Sequence, residues 1–370
     1  MDCCEFVAHR ASVPEGAGER GQALRDYGNE VDWVTKIIDT GGAVDIAYLD
    51  FSKAFDTVPH RRLINKLQSL SLDSNIVEWI RQWLSDRQQR VVVNGVYSAQ
   101  GLVTSGVPQG SVLGPILFNI FISDIAEGIN GKVCIFADDT KICNRVDVPG
   151  GISQMTNDLG KLRKWSELWQ LSFNVDKCKI MHLGRKNPRA EYRIFDTVLT
   201  STSEERDLGV IISEDLRVSS QCNRAAGNAS RMLGCVGRGI SSRKREVLMP
   251  LYRALVRPHL EYCVQYWRPY LQKDIDILER VQRRATKMVY GLKEKSYQER
   301  LNDLNMYSLE KRRDRGDMIS GITRVGVTRC GNLWCHPPPP EFFRFFLTTL
   351  TPKSVLPYNT ECSYTQRTLL

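Results

Sequence analysis

Apolar positions recur along this chain with two different periods, and each period predicts a type of element. Residues 44–51, VDIAYLDF, form an apolar, β-rich run that predicts a buried strand with an aspartate near its end. Helical spacing of apolar residues follows over 63–70 and again over 76–84, which predicts two amphipathic helices. Asp73 stands just before the second helix as a capping residue.

Two turn signals predict β-hairpins. In RVVVNGVYS (90–98), Asn94 and Gly95 can both take the positive φ that a tight I′ turn requires. In KVCIFADDTKIC (132–143), two short β-rich runs surround a pair of aspartates, which predicts a hairpin with an exposed acidic tip. Between these hairpins, the mostly apolar ILFNIFISDIAEG predicts a buried helix that ends at Gly128.

Positive charge is concentrated in the second half of the chain. The net charge is +9, and residues 217–329 alone hold 24 Lys and Arg against 11 Asp and Glu. Within this region, the apolar stripe of KDIDILERVQRRATKMVYGL (273–292) predicts a helix whose basic residues occupy the other faces. Such an excess suits a polyanion such as nucleic acid, and a solvated basic face is the alternative.

The composition predicts an intracellular protein, in the nucleus or the cytoplasm, with no membrane partner. No run approaches the roughly 18 apolar residues of a membrane span, and the start MDCCEFVAHRASVPEG lacks a basic-then-apolar signal pattern. The 11 cysteines have no regular spacing, which predicts reduced thiols rather than a disulfide framework. Cys178, Cys222, Cys235 and Cys263 lie among apolar neighbours and are predicted to be small core residues.

Three aspartates on two predicted strands are the main candidates for chemistry. Asp50 ends the first strand, and Asp138 and Asp139 form the acidic tip of the second hairpin. Clustered carboxylates repel one another unless a cation lies between them, and hard divalent ions such as magnesium take oxygen ligands. Two such ions, about 3.5 to 4 Å apart, serve phosphoryl transfer. Taken singly, each aspartate is weak evidence for a metal site, because aspartates at strand ends commonly cap turns.

The segments around these aspartates carry a family resemblance. In chain order they are LDFSKAFDTVPH (49–60), SGVPQGSVLGPILF (105–118), FADDTK (136–141), NVDKCKIMHLG (174–184) and DLGVIIS (207–213). In this order they resemble motifs A to E of non-LTR retrotransposon reverse transcriptases, above all those of the CR1 and jockey type. The resemblance covers roughly residues 40 to 320, including the basic region.

The resemblance implies an α+β fold. We expect a reverse transcriptase palm, an antiparallel sheet backed by helices, followed by a mostly helical thumb or extension. The expected boundaries are an irregular N-terminal segment over 1–30, a palm with incomplete fingers over 31–215, a basic helical thumb over 216–320 and an unassigned tail over 321–370.

Carried over position by position, the resemblance assigns the metal site. Asp50 and Asp138 would be the principal ligands of two magnesium ions, for which manganese can substitute, with Asp139 adjacent and the Phe51 backbone carbonyl contributing. Lys177 would donate a proton to the leaving pyrophosphate, and a surface lysine is the alternative interpretation of that residue.

The resemblance also assigns substrate contacts. Phe55 would stack under the incoming sugar and exclude a 2′-hydroxyl. Excluding a hydroxyl requires steric blockage by a bulky ring rather than a hydrogen bond. The alternative is that Phe55 is a core aromatic. Gln109 and Gly110 would line the nucleotide pocket and template strand. Leu208 and Gly209 would lie in the hairpin that grips the primer end.

The function implied is an RNA-directed DNA polymerase, an enzyme that joins a deoxynucleoside triphosphate to a DNA primer or target DNA on an RNA template. The family's fingers motifs and endonuclease have no counterpart in the residues before the first catalytic strand, so we expect an element truncated at the N-terminus. The alternative is a catalytically inactive nucleic-acid-binding remnant. A metal-dependent nuclease would also use paired aspartates, but would leave PQG at 108–110 and Phe55 without a purpose.

Overall fold

A central sheet and a group of helices that follows it make up the computed structural model, which describes residues 30–70 and 72–316, with only the backbone of Gln265. The strands of this part are β1 (Val44–Leu49), β2 (Gln88–Gln89), β3 (Val92–Val93), β4 (Val96–Tyr97), β5 (Gly101–Leu102), β6 (Lys132–Phe136), β7 (Asp139–Arg145), β8 (Lys179–Leu183), β9 (Arg193–Ile194), β10 (Thr197–Val198), β11 (Thr200–Ser201), β12 (Glu204–Asp207) and β13 (Val210–Ser213).

The helices divide between the two halves of this part. They are α1 (30–39), α2 (Ala54–Thr57), α3 (His60–Ser69), α4 (Ser74–Leu84), α5 (Leu113–Phe121), α6 (Gly151–Trp169), α7 (Ser219–Gly239), α8 (Arg245–Leu251), α9 (Arg257–Glu261), α10 (Gln272–Lys287), α11 (Tyr297–Asp303) and α12 (309–316). A π-helical turn, Tyr252–Val256, joins α8 to α9, and a short 3-10 turn, Val264–Tyr266, follows α9. Among the described residues, no helix is long and apolar enough to cross a membrane.

The central sheet has five strands in the order β11-β8-β1-β7-β6. Neighbouring strands in this sheet are antiparallel, except that β11 pairs with β8 in parallel. The predicted strand over 44–51 and the predicted acidic hairpin are therefore confirmed as β1 and the β6–β7 pair. The hairpin predicted at Asn94 and Gly95 is confirmed too, since both have positive φ between β3 and β4.

Alternate residues of β1 pack into two different cores. Ala47 and Leu49 enter a large core that includes residues of α3 to α6. Val44 and Ile46 project to the opposite face, into a smaller core with Val34 of α1. This alternation is the two-residue period of a strand. It places the residue after Leu49, an aspartate, on the face that α1 partly covers.

The second half of the described residues builds its own apolar core. Residues of α7, α8 and α10 meet around the buried side chains of Tyr252 and Trp267. The predicted helix over 273–292 is confirmed as α10, which ends at Lys287, and its arginines 280, 283 and 284 are exposed. An antiparallel sheet backed by helices and followed by a mostly helical region confirms the predicted α+β class.

Two sequence predictions were wrong in detail. The helix expected to reach Gly128 ends at Phe121, and a series of turns follows it. Ile122 and Ile125 in those turns are buried, so the apolar pattern continues although the helix does not. Cys235, predicted to be a core residue, is exposed on α7, whereas the other three cysteines predicted with it are buried.

The predicted domain boundaries are not tested by this fold and stay a prediction. All the described residues belong to one unit of the chain that ends at Asp317. Of the irregular segment expected over 1–30, positions 1–29 lie outside the described residues, and residue 30 begins α1. The tail expected over 321–370 and positions 317–320 of the expected thumb also lie outside the described residues.

Candidate active site

The ends of two strands bring acidic residues together at one end of the central sheet. β1 and β7 are antiparallel, and their last pair joins Leu49 to Thr140. Asp50 follows Leu49 and Asp139 precedes Thr140, so both carboxylates lie where the ladder ends. Paired positions of neighbouring strands project to the same face of a sheet. Two residues predicted to act together are therefore neighbours, although they are 89 positions apart in the sequence.

The turn between β6 and β7 carries the third aspartate. Phe136 pairs with Asp139, which leaves Ala137 and Asp138 as the turn. Ala137 has a φ of 52°, which residues with a Cβ rarely adopt and which the two-residue turns of hairpins require. Strained backbone of this kind is concentrated at functional sites. The turn holds Asp138 at the tip of the hairpin, next to Asp139.

The aspartates of this cluster repel one another. Desolvation in the cleft, followed by the charges of Asp138 and Asp50, raises the pKa of the Asp139 carboxyl above its ordinary value. A divalent cation would relieve this repulsion, and carboxylate oxygens are the ligands that magnesium and manganese prefer. Within residues 30–70 and 72–316, no three Asp, Glu, His or Cys side chains are already arranged to hold a metal ion. The residue types therefore fit a hard cation, and the ligand geometry stays a prediction.

Lys177 lies on the other side of β1 from the acidic hairpin. It belongs to the turn before β8, and its Nζ is 3.0 Å from Asp50 Oδ2. This oxygen is buried and accepts no hydrogen bond of good geometry within the described residues. The contact with Asp50, and the more distant charge of Asp138, raise the pKa of the Lys177 ammonium. A buried carboxylate oxygen with one ionic neighbour is a further feature that suits a cation ligand.

A cleft of about 420 Å³ opens over these groups. It is lined by Asp50, Asp139 and Lys177, which the sequence predicted, and by residues of β7, β8 and β12. The residues that the sequence did not predict include Lys141, Asp176, Lys179, Glu205, Arg206 and Asp207. Glu205 pairs with Lys179 at 2.8 Å. The three lysines that line the cleft are thus each paired with a carboxylate.

The loop that carries Gln109 and Gly110 is joined to the segment that follows Asp50, and does not line this cleft. The backbone N–H of Val107 donates to the Phe55 carbonyl at 2.7 Å, and Gln109 Nε2 donates to Asp56 Oδ1 at 3.3 Å. Gln109 and Gly110 are both exposed, and Gly110 has positive φ. These contacts set the predicted nucleotide-pocket residues beside the segment of Phe55 and Asp56.

Both predicted phenylalanines pack against the core. Phe51 is buried, and its ring stacks on Phe173 at 4.5 Å between centroids. The half-buried Phe55 stacks in the same way on Phe118, also at 4.5 Å. Phe55 is thus packed on the core and still half-buried, so packing in the core and contact with a substrate sugar are compatible interpretations of this residue.

The residues predicted to grip the primer form a tight turn. Asp207 pairs with Val210, and the two residues between them, Leu208 and Gly209, have φ of 45° and 87°. Positive φ at both positions is the signature of a I′ hairpin turn. Asp207, at the base of this turn, lines the same cleft as Asp50.

A buried ionic cluster links the β12–β13 hairpin to β7, the strand that begins with Asp139. Lys141 Nζ lies 2.7 Å from Glu30 Oε2 and 2.5 Å from Asp207 Oδ2, and all three side chains are buried. Burial, reinforced by Glu30 and opposed by Lys141, raises the pKa of Asp207 to about 6. Sequence reasoning missed this cluster. A signal existed for Lys141 alone, because it stands two residues after Asp139 and therefore shares its face of the strand.

Comparison with known proteins gives one family and several relatives. A family model described as reverse transcriptase (RNA-dependent DNA polymerase) matches residues 21–221. The RNA-directed DNA polymerase from mobile element jockey of Drosophila funebris is 26% identical over 234 residues, which are 60% of this chain and 25% of that protein. The probable RNA-directed DNA polymerase from transposon X-element of Drosophila melanogaster is 24% identical over 278 residues, 70% of this chain and 30% of that protein.

A solved structure of apo telomerase from Candida tropicalis aligns with 81% of this chain and 52% of its own, at 11% identity and a TM-score of 0.42. The chain spans less than a third of the length of the two retrotransposon relatives.

Proposed function

Because the chain belongs to the reverse transcriptase (RNA-dependent DNA polymerase) family, we propose that it acts as the palm and thumb of a non-LTR retrotransposon RNA-directed DNA polymerase. The observation that carries this proposal is the meeting of Asp50 with Asp139 at the ends of β1 and β7, within one cleft. The reaction is attack of a primer 3′-hydroxyl on the α-phosphate of a deoxynucleoside triphosphate, directed by an RNA template.

Magnesium is the proposed cofactor, with manganese able to replace it. Asp50, Asp138 and Asp139 would hold it, and the Phe51 backbone carbonyl would be an additional ligand. When bound, divalent ions supply charge neutralisation at the attacking and leaving oxygens. The chain itself fixes the positions of these carboxylates. The strained turn at Ala137 holds Asp138 and Asp139, and the end of β1 holds Asp50.

The remaining predicted residues have proposed roles in this reaction. Lys177, whose ammonium is protonated at neutral pH beside Asp50, would give its proton to the pyrophosphate oxygen. Phe55, braced by Phe118, would block a 2′-hydroxyl. Gln109 and Gly110 would contact the nucleotide and the template, since glycine allows the backbone to approach closely.

Leu208 and Gly209 would hold the primer end. Their turn rises from β12, which lines the cleft, so a primer held there would reach the carboxylates. The nucleic acid would continue toward the basic helices, since the chain's excess of positive charge lies there.

One exposed face of α7 supports the binding of a nucleic acid backbone. Arg224, Arg231 and Arg238 stand seven residues apart and are exposed, which spaces them about 10.5 Å apart along the helix. None of the three forms an ion pair within the part of the chain that the structure describes. Regularly spaced guanidinium groups without carboxylate neighbours suit phosphates.

Primer extension on an RNA template tests the proposal. Asp138→Asn should lower nucleotide incorporation roughly a thousandfold, because it removes a ligand of an ion that contributes several kcal/mol. Asp196→Asn is the matched control, since this exposed aspartate lies in the turn between β9 and β10, outside the cleft. Equal nucleotide incorporation by the wild type and by Asp138→Asn would refute the proposal.

The second candidate function is nucleic acid binding without catalysis, which the arginines of α7 favour. It predicts salt-sensitive binding of an RNA–DNA duplex by a wild-type protein that incorporates no nucleotide. The same preparation decides between the two candidates when binding and extension are measured side by side.

A further inference from the structure

The turn at Leu208 and Gly209 receives support from a distant part of the chain. Tyr262, the residue after α9, donates a hydrogen bond from its hydroxyl to the Leu208 carbonyl at 2.9 Å. The two residues are 54 positions apart. The contact therefore joins the helical region to the hairpin predicted to grip the primer.

The ring of Tyr262 also lies against Gly209. A Cβ built on Gly209 would come within 3.2 Å of Tyr262 Cε1, which is tighter than ordinary van der Waals contact. Gly209 has a φ of 87°, in the region that glycine adopts without strain. Two constraints therefore favour glycine here, and one of them is the tyrosine ring.

The backbone of Tyr262 is itself fixed. Its N–H donates to the Pro258 carbonyl at 3.0 Å, and its own carbonyl accepts a hydrogen bond from Trp267 Nε1 at 2.8 Å. Trp267 is almost fully buried in the core of the helical region. Tyr262 thus transmits the position of that core to the turn, while 46% of its own surface stays exposed.

The other end of the hairpin is held separately. Asp207, the residue before the turn, forms the buried ion pair with Lys141 of β7. One anchor thus ties the hairpin to the strand that carries Asp139, and Tyr262 ties the turn to the helices. Leu208 needs such support, because a residue with a Cβ is strained at a φ of 45°.

We propose that Tyr262 is a positioning residue that fixes the turn at Leu208 and Gly209, and with it the 3′ end of the primer relative to Asp50 and Asp139. This inference rests on the proposed polymerase function. In the proposed function, the nucleotide would be held by a different loop, the one that carries Gln109. Loss of the tyrosine hydroxyl therefore slows nucleotide addition without changing the KM for the nucleotide.

The test compares Tyr262→Phe, which keeps the ring, with Tyr262→Ala, which removes it. At saturating primer–template and nucleotide, Tyr262→Phe should lower kcat about fivefold, the scale of one hydrogen bond. Tyr262→Ala should lower it about a hundredfold, as expected for a misplaced reacting group. Tyr290→Phe, at an 86% exposed tyrosine of the same region, is the matched control and should behave as wild type.

A second readout does not need catalysis. Amide hydrogen exchange of residues 204–213 should be faster in Tyr262→Phe than in wild type, with an unchanged melting temperature. A wild type that extends no primer would refute the proposed function, and the exchange data would still decide whether Tyr262 fixes the turn. Equal exchange in wild type and both Tyr262 variants would overturn the inference, as would equal kcat in an active enzyme.

Discussion

The Lys177 ammonium lies 3.0 Å from Asp50 Oδ2, so a side chain from the turn before β8 neutralises the carboxylate at the end of β1. A cation that binds Asp50 has to share this carboxylate with the ammonium. In the proposed function, we therefore expect Lys177 to lower the affinity of the cleft for a cation and to raise the rate of phosphoryl transfer.

Lys177→Gln should therefore bind manganese more tightly in the absence of nucleotide, by roughly two- to fivefold, the scale of an exposed ion pair. It should also lower nucleotide incorporation about a hundredfold, within the range of a missing general acid. Electron paramagnetic resonance of bound manganese and single-turnover extension measure the two effects. Lys186→Gln, at an exposed lysine outside the cleft, is the control. If Lys177→Gln changed neither manganese binding nor extension, the proposed role of Lys177 would be refuted.

Gly106→Ala should destabilise the junction between the Gln109 loop and the segment after Asp50. A Cβ at Gly106 would approach the carbonyl oxygens of Phe55 and Asp56 to 2.7 Å, and φ there is +90°. We expect the free energy of unfolding to fall by about 1–3 kcal/mol, measured by urea denaturation. Gly101→Ala, where a Cβ meets open space, should change it little. Equal losses of stability in the two variants would contradict this account.

Replacing the three arginines of the α7 face by glutamine should weaken duplex binding and reduce its salt dependence. Each arginine that no longer neutralises a phosphate reduces the slope of log K against log salt by about 0.9, so the slope of the triple variant should fall by roughly two to three. Filter binding over a range of salt concentrations gives the slope. The matched control replaces three arginines that already pair with carboxylates, namely Arg189, Arg193 and Arg217. A slope that changes equally in both triple variants would exclude a specific role for α7.

Asp147→Asn should destabilise the protein more at neutral pH than in acid. Hydrogen bonds from the Arg145 guanidinium, and one from the Ala43 N–H at 3.0 Å, lower the pKa of the Asp147 carboxyl below its ordinary value. A group whose pKa is lower in the folded state contributes stability above its unfolded pKa, and that contribution disappears as the pH falls. The variant should lose up to about 1 kcal/mol at pH 7.

That difference should shrink as the pH falls below about 4, the unfolded pKa of an aspartate. Urea denaturation at pH 7 and pH 3 compares the two proteins, with Asp196→Asn as the control. A difference that is as large at pH 3 as at pH 7 would contradict the ionic origin.

Much of the fold could be predicted because its signals are local. The positive φ at Asn94 and Gly95 follows from residue type, and the strand that ends before Asp50 follows from an apolar run. The local pattern gave a wrong helix end where buried apolar residues continue beyond the helix. Ile122 and Ile125 are buried in turns, so the periodic pattern could not show that the helix ends at Phe121.

The sequence by itself determined that carboxylates end one strand and occupy the tip of a hairpin, because chain-local periodicity and turn chemistry decide both. Only the tertiary structure decided their partners: Lys177 beside Asp50, Glu30 and Asp207 around Lys141, and Tyr262 on Leu208. Asp207 lies 66 positions from Lys141, in an element that no local pattern links to β7. Such contacts depend on how the sheet, the hairpin and the helices pack together, a property of the whole folded chain.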